Sequence, residues 1–175
     1  MALLNAILII FSCKNSHLSV EQQADQQYEM AKALFSRQQY QKSIEICDVV
    51  LSKDLRQPEL LHLKGLNYIQ LGDFAAAIEY LHQSSIHDPI NEKIWQDLGF
   101  AYHVHIHDSE KALEAFQNGL QINPKSSAAY NGLGLVHAQL GNRREAIEML
   151  QLAVKHNPGD KVAQGNLVKL IRTVS

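Results

Sequence analysis

The apolar and small residues of this chain recur as a block rather than as isolated helices or strands. Three prolines that each follow Asp or Asn, Pro89, Pro124 and Pro158, stand 35 and 34 residues apart. Laid over one another in that register, Gly65, Gly99 and Gly134 coincide, as do Tyr68, Tyr102 and His137. Ala77, Ala112 and Ala146 align next, and then Leu81, Phe116 and Leu150. Extending backwards gives a weaker copy carrying Tyr28, Ala31, Leu34, Tyr40 and Ser43. The spacing predicts four helix–turn–helix repeats over 24–57, 58–91, 92–126 and 127–160, followed by an amphipathic helix over 161–175.

Each recurring residue has a physical purpose. A small residue in the first helix (Ala31, Gly65, Gly99 or Gly134) admits the second helix closely, and Ala77, Ala112 and Ala146 do so from the other side. Trp95, Tyr102 and Phe116 are large enough to fill the space between successive pairs. Gly72-Asp73 and Gly141-Asn142 supply turns, because Gly accepts positive φ at a helix C-terminus. Proline ends the second helix by driving the residue before it out of the α region. A single pair cannot bury both faces, so stacking makes the core and the ends need caps. Val162, Leu167, Val168, Leu170 and Ile171 are expected to cover the last repeat, with Lys161, Lys169 and Arg172 left to water.

The segments Trp95-Gln96-Asp97-Leu98-Gly99-Phe100-Ala101-Tyr102 and Tyr130-Asn131-Gly132-Leu133-Gly134 closely resemble the tetratricopeptide repeat. That resemblance covers nearly all of the chain after residue 13. It implies an all-α, right-handed superhelical solenoid of about four repeats with a C-terminal capping helix, and a protein or peptide partner bound in its concave groove. Carried over by position, the ligand-facing residues of the first repeat are Asp25, Tyr28, Lys32, Phe35 and Ser36, and those of the second Glu59, His62, Leu66, Ile69 and Gln70. The third offers Lys93, Gln96, Phe100, His103 and Val104, and the fourth Ala128, Asn131, Leu135, Ala138 and Gln139. This wall is mostly apolar and neutral, which suits an extended peptide or an amphipathic helix. Family members that clamp a C-terminal carboxylate need several Lys and Asn donors there; this chain supplies Lys32 alone, too few for that ligand.

The N-terminus has a different character. Residues 2–11 are apolar apart from Asn5. Ten residues at about 1.5 Å each reach roughly half of a ~30 Å hydrocarbon core, so the stretch is closer to the apolar region of a secretory signal than to a spanning helix. Ile10-Phe11-Ser12-Cys13 resembles the bacterial lipobox. The resemblance implies a signal over 1–12, lipidation of Cys13, a short linker over 13–23, and a lipid-anchored envelope protein. Lys14 then points to the outer membrane, facing the periplasm.

Composition narrows the alternatives. Apolar residues make up 46% and charged residues 19%, with a net charge of -2, which describes a globular chain without the basic surplus that nucleic acid selects. Cys13 and Cys47 form neither a disulfide framework nor a metal spacing, and Cys47 reads as a small buried hydrophobe. His103 and His107 stand i, i+4 with His105 between them, at the inter-helix turn where the third repeat carries its one extra residue. They are the most tempting metal cluster, and an incidental polar turn is the simpler reading. Gly132-Leu133-Gly134 lies inside a helix and is no phosphate loop. No catalytic motif is present and no cofactor is implied. Three functions remain: an envelope scaffold assisting assembly of a pilus- or secretion-type complex, a soluble cytosolic adaptor, and a metal-binding protein using the histidine turn.

Overall fold

The computed structural model describes residues 19–52 and 57–172, and every regular element among them is helical. In chain order these are α1 (Val20–Ser36), α2 (Tyr40–Leu51), α3 (Pro58–Leu71), α4 (Phe74–His87), α5 (Glu92–Phe100), α6 (Ser109–Ile122), α7 (Ser127–Gln139), α8 (Arg143–His156) and α9 (Lys161–Arg172). A π-helical segment, Ala101–Ile106, continues α5. The helices fall into two compact units, one ending at Arg56 and one beginning at Gln57.

The first unit contains the pair α1–α2. Ser19 starts α1 with a reciprocal capping box: its hydroxyl accepts from the Gln22 backbone N–H, and the Gln22 side chain accepts from the Ser19 N–H. In this unit Ala24, Ala31, Ile44, Ile46, Cys47 and Val50 are all buried. Ser43 is fully buried and donates to the Ala31 carbonyl oxygen at 2.9 Å, so its hydroxyl costs little to bury. In the repeat register Ala31 replaces a glycine and Cys47 replaces a leucine. One side chain gains a methyl and the other is smaller, which keeps the volume between the helices roughly constant.

The second unit stacks the pairs α3–α4, α5–α6 and α7–α8 and closes with α9, an all-α solenoid with a capping helix. The aligned glycines are where the helices of each pair come closest. A methyl on Gly65, Gly99 or Gly134 would lie 2.7, 2.6 or 2.7 Å from Leu81, Phe116 or Leu150 respectively. Successive pairs are joined by shared apolar clusters. Leu81, Ile94, Leu98, Ala101 and Ala115 form one, and Ala112, Phe116, Ala129, Leu133 and Val136 another. Gly72 and Gly141 adopt φ of 80° and 78° at the helix C-termini, as such turns require.

Two features differ from the sequence reading. The extra residue of the third repeat does not lengthen the inter-helix turn; the end of α5 absorbs it by widening into the π-helical segment, so that the Asp108 N–H bonds to the Tyr102 carbonyl at 3.1 Å. His107, with φ of 59°, then occupies the left-handed place that glycine holds in the pairs on either side. The second difference concerns α9. Its fully buried residue is Ala163, whereas Val162, Val168 and Ile171, expected to cover the last repeat, are 66%, 45% and 50% exposed. Packing uses one narrow stripe of α9, and a small residue lets it sit close to α7 and α8. Leu167 and Leu170, beside Ala163 on that stripe, are half-buried as expected, and Lys161, Lys169 and Arg172 face solvent.

Candidate functional site: the wall of first helices

In the second unit the first helix of each pair, α3, α5 and α7, together with α9, forms one wall. Polar bonds register its members. His62 Nε2 of α3 lies 2.7 Å from Asp97 Oδ2 of α5, and Lys93 Nζ bonds the other carboxylate oxygen at 3.0 Å. Asn166 of α9 donates to Asn131 Oδ1 of α7 at 2.8 Å. Both cross-helix pairs span 35 residues, so the same place in the wall is bridged twice by different chemistry. Between them, Gln96 donates to Ser126 Oγ at 3.1 Å and to the Glu92 carboxylate, whose other oxygen accepts from Asn123 at 2.8 Å.

These bonds and the apolar clusters sort the expected ligand-facing residues. His62, Gln96 and Asn131 are engaged in holding helices together, and Asn131 is only 5% exposed. Ile69 packs on the cluster around Leu98, and Phe100 on the cluster around Leu133, with the Phe100 ring edge-on to Phe116 at 5.0 Å. Leu66, Leu135 and Ala138 enter neither cluster and, like Ile69 and Phe100, remain partly exposed. Tyr28, Lys32 and Phe35 belong to the first unit. There Lys32 bonds Glu29 at 2.9 Å and stands 5.0 Å from the centre of the Tyr28 ring, while Phe35 meets Tyr40 edge-on at 5.6 Å. The hydrogen bond to Glu29 holds the Lys32 ammonium above its ordinary pKa.

The histidines of the π-helical segment are drawn into separate tasks. His105 stacks on Phe74 at 3.8 Å, and the His107 ring N–H donates to the His103 carbonyl oxygen at 3.2 Å. Burial, and secondarily the neighbouring His107, lowers the pKa of both His103 and His105. Among the described residues no three His, Cys, Asp or Glu side chains converge to hold a metal ion.

At the α9 end the wall opens into a cavity of about 180 Å³ lined by Leu135, Ala138, Leu150, Asn166, Lys169 and Leu170. Arg143 donates to the Leu170 carbonyl and, at 3.4 Å, to that of Ile171, fixing the end of α9 that closes the cavity. Asp97, Asn166 and Lys169 were not among the ligand-facing residues expected from sequence, where Lys169 was assigned only to water. Continuing the 34-residue register into α9 would have found the last of them, because it places Val162, Gly165, Lys169 and Arg172 where α7 has Ala128, Asn131, Leu135 and Ala138.

Comparison with known proteins places this architecture. An N-terminal acetyltransferase A complex subunit-like protein of Schizosaccharomyces pombe is 31% identical over 107 residues, covering 61% of this chain and 15% of the relative. A BBSome complex member, BBS4 of Bos taurus, is 26% identical over 135 residues, covering 77% of this chain and 26% of the relative. The chain thus spans well under a third of the curated relatives it matches. Both relatives come from organisms without a bacterial envelope, which overturns the expected outer-membrane localisation. Cys13 and the segment 1–12 that suggested it lie outside the described residues. Among solved structures, that of MamA superposes with a TM-score of 0.75 at 23% identity, covering 85% of this chain and 81% of that one. The first TPR of Spaghetti (RPAP3), bound to the HSP90 peptide SRMEEVD, does so with a TM-score of 0.62 at 20% identity, covering 67% and 92%. Two family models, each for a tetratricopeptide repeat, match residues 58–84 and 107–170, together just over half of the chain. With the recurring glycine-to-leucine contacts and the stacked helix pairs, they make this chain a tetratricopeptide-repeat protein.

Proposed function

We propose that this protein is an adaptor that binds an extended segment of another polypeptide along the wall formed by α3, α5, α7 and α9. The observation that carries the reading is the division of labour within that wall. His62 and Asn131 tie neighbouring helices together through polar bonds, while Leu66, Ile69, Phe100, Leu135 and Ala138 are each half-buried and keep part of their apolar surface exposed. A rigid row of helices with partly exposed aliphatic side chains offers a peptide a preorganised surface, which lowers the entropic cost of docking. The structurally similar RPAP3 domain is bound to a peptide, and both curated relatives are named for multiprotein complexes; these likenesses support the same reading.

The test is selection of dodecapeptides from a random displayed library on the full chain, followed by affinity measurement on variants. Leu66→Glu is expected to weaken the selected peptides at least tenfold, about 1.4 kcal/mol, with unchanged circular dichroism. Glu148→Ala, on the exposed side of α8, should leave binding unaltered. Peptides that bind Leu66→Glu and the parent equally would move the binding surface off this wall.

A further inference from the structure

We propose that the cavity closed by α9 is an anchor pocket for an aliphatic or phenyl-sized side chain of an acidic peptide, with Lys169 and Arg172 holding the carboxylates that flank it. The proposal rests on the wall reading above and names the partner's chemistry. Helix α9 caps the stack. Yet its register repeats that of a ligand-facing helix, and Val162, Gly165, Lys169 and Arg172 on that face are all exposed.

Size decides the first half. A cavity of about 150 Å³ lined by Leu, Ile or Phe accepts benzene. The pocket here, open to solvent on one side and about 180 Å³, is lined by Leu135, Ala138, Leu150 and Leu170 with Asn166 and Lys169, which leaves room for one aliphatic or phenyl side chain. Its walls are set by packing: Leu150 is buried against Gly134, and the Arg143 bonds to the α9 carbonyls hold Leu170. The pocket is therefore present before a ligand arrives.

Charge decides the second half. Helix α7 carries no acidic or basic residue apart from His137, and α9 carries Lys161, Lys169 and Arg172 with no acid. Neither Lys169 nor Arg172 makes an ion pair among the described residues. Lys169 is itself among the residues lining the pocket and is exposed, so a cationic side chain borders its apolar wall. A neutral or basic segment would leave both cations unmatched; an acidic one satisfies them while its apolar residue enters the pocket.

The experiment uses the full chain and the peptides selected above. The expected result is enrichment of net-negative sequences carrying one Leu, Ile, Met or Phe, whose binding weakens at least tenfold in Lys169→Glu and in Leu135→Trp, which fills the cavity. Lys169 is exposed, so Lys169→Glu keeps the test valid should Leu135→Trp fail to fold. Peptides sensitive to Leu66→Glu but indifferent to Lys169→Glu would overturn the pocket while leaving the wall reading intact. Failure of the library to yield any binder would overturn both. A dimer in sedimentation that Lys169→Glu dissociates would put a second copy of this chain in the pocket and likewise overturn the acidic-peptide assignment.

Discussion

Phe116 is held between two glycines of different helix pairs: its ring lies against Gly99 of its own pair and against Gly132 of the next. A methyl on Gly132 would approach ring carbon Cζ to 2.3 Å, and one on Gly99 would approach Cε1 to 2.6 Å. Leu81 and Leu150, in the same register, each meet one such glycine, Gly65 and Gly134. The larger aromatic ring at 116 therefore requires the second glycine, which accounts for the Gly132-Leu133-Gly134 run without any phosphate chemistry. Gly132→Ala is expected to destabilise the protein by about 1–3 kcal/mol through overpacking. In combination with Phe116→Leu, which vacates ring volume, Gly132→Ala should cost less than it does alone. Chemical denaturation of the two single variants and the double variant checks the coupling; strict additivity would refute it.

Gly165 presents the opposite case. It lies inside α9, and nothing stands within 4 Å of where its Cβ would be. An open helical glycine carries only an entropic cost, so Gly165→Ala should stabilise the fold by about 0.5–1 kcal/mol. Gly134→Ala, 2.7 Å from Leu150 Cγ, should destabilise it. Melting temperatures that shift in opposite directions are the expected outcome.

The histidine segment predicts a pH dependence. Burial holds the pKa values of His103 and His105 below the ordinary histidine value of 6.5 in the folded state. The unfolded chain then takes up protons first as pH falls through about 6.5, so stability declines below that pH and levels once the folded-state groups are also protonated. His105→Phe preserves a ring against Phe74 and removes one titrating group. Unfolding measured between pH 7.5 and 5.5 should show a shallower loss in this variant than in the parent.

Asp160 ties α9 to the wall. Its carboxylate accepts from the Val162 and Ala163 backbone N–H groups, both at 3.0 Å, and from the Ser127 hydroxyl at 2.9 Å. The bond from Ala163, followed by that from Ser127, holds its pKa below the usual aspartate range despite partial burial. Its stabilising contribution is present above the unfolded-state pKa near 3.8 and is lost as pH falls through the lower folded value. Asp160→Ala removes the cap and should cost about 1 kcal/mol. Hydrogen exchange is expected to accelerate first in α9, and uniform acceleration throughout α3–α9 would contradict a local role.

The all-α repeat architecture is legible in the order of residues alone, because that information is periodic: the Asp/Asn-Pro breaks, the aligned glycines and alanines, and the turn glycines recur at fixed spacing and each has a local physical reason. It also named Cys47 as buried from its neighbours alone. What periodicity cannot convey is which side chains spend their surface on each other across helices. The pairing of His62 with Asp97 and of Asn131 with Asn166, the inward packing of Ile69 and Phe100, and the double glycine around Phe116 arise only when residues about 15 to 35 positions apart meet. The extra residue of the third repeat could be counted in the sequence. Only the competition between lengthening a turn and widening a helix, settled by packing around Ala101 and Tyr102, placed it in a π-helical segment. The same holds for α9, whose apolar face is wider than the stripe its neighbours cover. Tertiary contact buried Ala163, left Val162, Val168 and Ile171 to solvent, and set Lys169 at the rim of a cavity, because a helix with neighbours on one side can bury only the stripe that faces them.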